Sequence, residues 1–252
     1  MAVRGTQGAA PGQDSFFKTS DIPTGNVFTV CGWLCPTGFN TWNLALSFGG
    51  TSAGQPSCAL GRYSGAFVLD CTQNGQVAFS TVAVNDVIFA AMVCGDGTKL
   101  KGYLLHSPAA NAFDAVVFTA DAPTYTLNDL RVGTSCWDGT DYWSGRMWNI
   151  KCWSRALSAA ELMIEARYER VKFPQNLHLH WPMSHASDTR DLSGNNRTPT
   201  IVATPATEPA DWQPWKPRAR IIQYAAAAQG YVGIENKLYG VDARGLGHMV
   251  RR

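Results

Sequence analysis

Apolar positions in this chain come in short runs with a period of two, broken at short intervals by Gly, Asn or Asp. "NVFTVCGWLC", "WNLALSFGG", "ALGRYSGAFVLDC", "GQVAFSTVAV" and "DVIFAAMVC" read as strands, and "KLKGYLLH" resumes after the turn "GDGT". Several runs, "DVIFAAMVC" above all, are apolar on both parities, which predicts central strands covered on both faces. In "RMWNIKCW" the alternation puts Trp148, Ile150 and Cys152 on one face and Asn149 and Lys151 on the other, a half-buried strand. The period then changes. Ser158 is a good helix N-cap, Glu161 three residues on completes a capping box, and Leu157 and Leu162 sit at the two positions of a hydrophobic staple. This predicts one helix of about three turns over 158–170. Glu161, Glu165 and Glu169 fall on its solvated face with Arg167 and Arg170 nearby, and no catalytic role follows for them.

After the helix, "NLHLHWPM" alternates again and "DLSGNN" reads as a tight turn of residues that tolerate left-handed backbone. "TPTIVAT" predicts a last short strand. From Pro205 the character changes: "PATEPADWQPWKPRAR" carries four prolines and reads as an extended surface arm, with one or two short elements in "IIQYAAAAQGYVGIENKLYG". The expected organisation is therefore an all-β, two-sheet antiparallel jelly-roll sandwich with one short helix over 1–204, and an extended C-terminal arm over 205–252.

Composition narrows this further. At 252 residues with 45% hydrophobic and 16% charged residues, one large all-β domain is the natural size, and 24 glycines and 13 prolines suit many turns. No apolar run is long enough to span a membrane, and "MAVRGTQGAAPGQDS" lacks the apolar core of a secretory signal. Charge is uneven. Lys216–Arg252 holds seven Lys or Arg against two Asp or Glu, a net +5, while the rest holds fourteen against seventeen, a net −3. Such a tail either meets an anionic surface or is simply a solvated end. The seven cysteines, Cys31, Cys35, Cys58, Cys71, Cys94, Cys136 and Cys152, are odd in number and contain no C-x-x-C. They are read as reduced core thiols, with disulfides formed after release from the cell as the minor alternative.

"YWSGRMWNIKCWSRALSAAEL" resembles the closing signature of laminin-G-like, concanavalin A-like jelly rolls, through Gly145, Trp153, Arg155, Ala156, Leu157, Ser158 and Glu161. "FTVCGWLCP" is similar to that family's first core strand, with Trp33 and Pro36, and "LNDLRVGTS" to the strand before the closing one. "LHWPMSHASDTRDLSGNN" resembles a segment found beside such domains, often in tailed-bacteriophage virion proteins. The likeness covers roughly residues 14 to 200. It implies two antiparallel sheets with the helix in a connection at one edge.

Chemistry is sparse. A glycosidase on this sandwich needs two carboxylates close together, commonly on one strand, yet the first Glu of the chain is Glu161 on the helix. There is no G-x-S-x-G, phosphate loop or dinucleotide fingerprint. His178, His180 and His185 invite a metal reading, but surface histidines are the expectation and no metal residues are assigned. Calcium at the rim, which some relatives bind, would draw on Asp138, Asp141, Asp188, Asp191 and Asn195; turn formation explains each of these better. No other cofactor is expected.

The loop "SCWDGTDYWSG" is the best recognition candidate. Trp137, Asp141 and Tyr142 form the candidate ligand-binding set, with Trp143 assigned to plugging the core. In the arm, Trp212, Trp215, Arg218 and Arg220 are the candidate partner-binding residues. The chain is thus expected to be a non-enzymatic structural or interaction protein of a virus particle, made in the host cytoplasm and present in many copies or as a homo-oligomer. Its partners would be other virion proteins; nucleic acid is disfavoured. A carbohydrate-binding module is the alternative.

Overall fold

The computed structural model describes residues 3–5, 16–23, 25, 27–37, 42–49, 57–71, 75–79, 82–95, 99–119, 127–136, 141–184, 188–202, 206–207, 222–223, 231–234, 237–241 and 247–250. The chain divides into two compact units, Met1–Ala210 and Asp211–Arg252. The first begins with β1 (Val3–Gly5), β2 (Phe16–Thr19), β3 (Phe28–Pro36), β4 (Trp42–Gly49), β5 (Ser57–Tyr63), β6 (Ala66–Cys71), β7 (Gly75–Ala78), β8 (Ile88–Cys94), β9 (Leu100–Leu105) and β10 (Ala115–Phe118). It continues with β11 (Asp129–Val132), β12 (Gly145–Trp153), α1 (Ala159–Arg167), β13 (Leu177–Trp181), β14 (Thr200–Val202) and β15 (Ala206–Thr207).

Sheet A has the order β10-β9-β8-β3-β12-β1-β15, with β13 also paired to β12, and sheet B the order β14-β2-β11-β4-β5-β6-β7. Strand pairs are antiparallel throughout, as in β3–β12 and β4–β5. The sheets face each other across one core, β5 opposite β8 and β6 opposite β9. Phe28, Leu34, Met92 and Leu104 from sheet A pack there with Phe17, Phe48, Leu60 and Leu69 from sheet B. This is the two-sheet sandwich that the alternation predicts. Every residue of β8 is buried, with Ile88, Ala90 and Met92 in that core, as the run apolar on both parities requires.

The helix explains what covers the other face of sheet A. Ser158 and Glu161 form the predicted capping box, and Arg155 Nη2 donates to Glu161 Oε1 at 2.8 Å. That bond to Arg155 pulls the Glu161 carboxyl down to about 2. Leu157 and Leu162 are both buried, so the staple is closed. The helix stops at Arg167, three residues short of the expectation, because Tyr168 leaves it in an extended conformation (φ −128°, ψ 136°).

Two expectations on this face fail together. Paired residues run Trp148 with Trp33 and then Lys151 with Cys31, so β12 carries one extra residue, and Asn149 lies in left-handed backbone at φ 55°. This bulge moves Trp148 onto the outer face, stacked on Trp33, while Ile150 and Cys152 stay in the core. The strand is therefore buried on both faces rather than half-buried. Lys151 is 1% exposed and Glu165 fully buried. Glu165 is thus not on a solvated face: its Oε2 accepts from Lys151 Nζ at 2.7 Å, and its Oε1 accepts from the Lys172 and Phe173 amides at 2.7 and 2.8 Å. Residues Leu162, Glu165 and Ala166 share the docked face by i, i+3, i+4 spacing, which carries the carboxylate inward.

Residues Ala206–Thr207 of the expected arm pair with β1 in sheet A, and the first compact unit runs to Ala210. The second unit contains β16 (Ile222–Gln223), β17 (Tyr231–Ile234), β18 (Lys237–Val241) and β19 (Gly247–Val250). They form an antiparallel meander; three of the strands begin within 221–240, where the sequence suggests one or two elements.

Candidate functional site

Sheet B carries a polar row on the face turned away from the core. Thr200, Lys18, Arg131, Ser47, Ala59, Asp70 and Gln76 are successive cross-strand partners over all seven strands. Residues paired in this way share a face. Their neighbours Phe17, Leu130, Phe48, Leu60 and Leu69 point into the core. Two cations, Lys18 and Arg131, stand at one end of the row, and Asp70 with Gln76 at the other.

The aromatic loop is anchored on this row. Gly133 N donates to Ala45 O at 2.8 Å, Cys136 N to Ser47 Oγ at 2.9 Å, and Arg131 Nη1 to Ser135 O at 3.0 Å. The two limbs of the loop hold each other: Ser135 N donates to Asp141 O and Trp143 N to Gly133 O. Trp143 is fully buried in the core, the plugging role expected of it. A side chain at Gly145 would collide with the Cys35 carbonyl oxygen and the Trp143 indole, which is why a glycine starts this strand.

Of the ligand-binding candidates, Asp141 is half-buried beside the row and Tyr142 is packed inside at 7% exposure, so its ring is not displayed on the surface. Trp137 lies outside the described residues, as do Trp212, Trp215, Arg218 and Arg220.

The residue that sequence reasoning missed is Asp70. It is 6% exposed, and its carboxyl is pushed up to about 6, first by burial and further by the charge of Asp141, against a hydrogen bond from Gln76. Asp129 is likewise raised by burial, opposed by Arg131, whose Nε donates to it at 3.0 Å. Burial also lifts the Cys136 thiol to about 12. Asp70 and Asp141 lie far apart in sequence, and the fold brings them into electrostatic contact.

The histidine expectation needs correction. His178 and His180 are buried, not surface residues. His180 Nε2 is 2.7 Å from Asn149 Oδ1, and burial, helped by Lys151, pulls its imidazole down to about 3. The β12 bulge creates this site by aiming Asn149 at β13. Asp188 and Asp191 act within turns. Arg190 and Ser184 grip Asp188 and outweigh burial, so its pKa falls well below the usual range. Asp191 accepts from the His180, Ser193 and Arg197 amides. No group of three or more metal-ligating side chains occurs among the described residues. No helix among them is long and apolar enough to cross a membrane.

No family model matches this chain, and no curated protein does. Among solved structures it is similar to a provisionally described carbohydrate binding protein from Bacteroides ovatus, with a TM-score of 0.54 and 13% identity. That match covers 82% of this chain, which spans 61% of the other's length. Lower likenesses are to the heptameric SAP-like pentraxin of Limulus polyphemus (TM-score 0.46, 14% identity, 66% of this chain and 80% of that one). Another is to tailspike protein 2 of Escherichia coli O157:H7 bacteriophage CAB120 (TM-score 0.48, 11% identity, 73% and 28%). What these likenesses share with this chain is the fold, a two-sheet antiparallel β-sandwich.

Proposed function

We propose that this chain is a non-enzymatic carbohydrate-binding module of the laminin-G-like kind, recognising glycan through the outer face of sheet B. The polar row under the aromatic loop carries this reading. Its accessible ends offer a hydroxyl at Thr200, an ammonium at Lys18 and an amide at Gln76, donors and acceptors of the kind that sugar hydroxyls need, while Ser47 and Asp70 in its middle are buried. The similarity in fold to the Bacteroides ovatus protein supports it by analogy. Catalysis is not part of the proposal, although Asp70 and Asp141 are two neighbouring carboxylates. Asp70 is almost fully buried and bonded to Gln76, which leaves it poorly placed to reach a glycosidic oxygen. A glycan array of bacterial surface polysaccharides tests binding. Arg131→Ala and Asp141→Asn are expected to abolish it with the far-ultraviolet circular dichroism unchanged. An array with no hit, or binding that survives both changes, refutes the reading. Release of reducing sugar by the wild type, lost in Asp70→Asn, refutes the non-enzymatic part.

A second reading follows from a different observation. The segment "DLSGNN", similar to one in tailed-phage virion proteins, folds here as a tight turn whose Asp191 carboxylate gathers three backbone amides. With the basic second unit it favours a virion component that attaches through residues beyond Ala210, in many copies and to other virion proteins, without nucleic acid, membrane or cofactor. Electron microscopy of particles labelled on this chain tests it, and particles without label refute it.

A further inference from the structure

All seven cysteines lie among the described residues and all are buried. In the sheet register, Cys31 stands opposite Ala91 and Lys151, Cys35 opposite Arg146, Cys94 opposite Phe28 and Leu100, and Cys152 opposite Val30 and Leu179. Cys136 sits off the strands against Ser47. Cys58 and Cys71 differ: they are direct partners across β5 and β6, on the core face, with their sulfurs 4.0 Å apart. Directly opposed residues in antiparallel strands have Cα atoms about 4.5–5.5 Å apart, inside the roughly 4.4–6.8 Å range that a disulfide bridges. Side-chain rotation alone closes the sulfur gap, with no backbone movement.

We propose that Cys58 and Cys71 are an oxidisable pair that becomes a cross-strand disulfide, a covalent staple of the β5–β6 hairpin, when the chain meets an oxidising environment. A low-molecular-weight disulfide is the oxidant. The thiolate of Cys71, deprotonated as the hairpin end opens, attacks one sulfur of the oxidant; a mixed disulfide forms and one thiolate leaves. The thiolate of Cys58 then attacks the Cys71 sulfur and the second thiolate leaves. The protein loses two protons and two electrons, and one oxidant molecule becomes two thiols. None of the other five cysteines stands directly opposite another cysteine, and these stay reduced. This inference is independent of the glycan and virion readings.

The test uses the full chain incubated with oxidised glutathione, both in its native state and during refolding. Thiols are counted in denaturant and linked peptides mapped by mass spectrometry without reduction. The expected result is a mass lower by about 2 Da, five titratable thiols and a Cys58–Cys71 link. The thermal midpoint should rise by several degrees and fall back on reduction. Cys71→Ala should keep six thiols and show no shift with oxidant. Seven thiols after both treatments, or a link between any other pair, overturns the proposal; the wild-type count decides even where Cys71→Ala folds poorly.

Discussion

Removing the carboxylate of Glu165 is the sharpest test of how the helix is held. In the native protein the carboxylate is fully buried, neutralises Lys151 at 2.7 Å and accepts two backbone amides. Glu165→Ala leaves an ammonium at 1% exposure with only the Tyr168 carbonyl, 3.1 Å away, as its remaining partner. Breaking a buried pair from one side costs about 3–5 kcal/mol, chiefly the uncompensated charge. The Lys172 and Phe173 amides are nearer solvent and add at most about 1 kcal/mol each. A total of about 4 kcal/mol is a large share of the roughly 5–15 kcal/mol that holds a domain folded. In a chain of this size it lowers the thermal midpoint by ~8–16 °C. Urea denaturation followed by tryptophan fluorescence measures it directly. Lys151→Met combined with Glu165→Met should be less destabilised than Glu165→Ala, because no charge is left buried. A Glu165→Ala loss below about 1 kcal/mol, or a double variant worse than the single one, would refute the reasoning.

Leu157→Asp should cost several kcal/mol, since Leu157 is 2% exposed and half of the staple; an unchanged urea midpoint would show that the helix is docked by other contacts. Asp70→Asn isolates a pH effect. The folded carboxyl is raised from 3.8 to about 6, so the native state holds its proton longer than the unfolded state. Stability therefore falls as pH rises from about 4 to about 6, by on the order of 2–3 kcal/mol in full. The midpoint of Asp70→Asn relative to wild type should climb between pH 4 and pH 8, and a difference that is flat with pH sinks the assignment. A truncation after Ala210, which keeps β15 on β1, should remain folded by circular dichroism but no longer join particles or oligomers. Unfolding, or normal assembly, defeats the attachment role.

How much of this was legible in the sequence depends on range. The capping box, the staple and the double-sided β8 depend on residues close in the chain, and they fold as their spacing predicts. The error over the faces of β12 comes from one residue. Asn149 inserts a bulge, and a single insertion in a period-two pattern exchanges the faces of everything beyond it. Trp148 thereby leaves the core face. A lysine and a glutamate that look solvated by spacing are buried against each other, because each is the other's neutralising partner. The polar row was out of reach for a different reason. Lys18, Ser47, Asp70 and Arg131 come from four strands that meet only through sheet order.

The two outer faces of the sandwich are closed by different physics, and this bears on where a ligand enters. Over sheet A the helix is fastened by Leu157 and Leu162 and by an ion pair that cannot be separated without leaving a charge in the interior. Opening that face exposes apolar area and strands Lys151, so it is costly in any solvent. Over sheet B the loop is anchored by Trp143 in the core and, along the row itself, by hydrogen bonds: Cys136 N to Ser47 Oγ, Arg131 to Ser135 O, Gly133 N to Ala45 O. Each bond is worth about 1 kcal/mol net, because water or a sugar hydroxyl replaces the partner that leaves. Under the proposed reading, a glycan would exchange hydrogen bonds at the accessible ends of the row. A ligand competing with the helix would have to replace a buried carboxylate. The late helix, far from being an addition to the sandwich, is what closes sheet A.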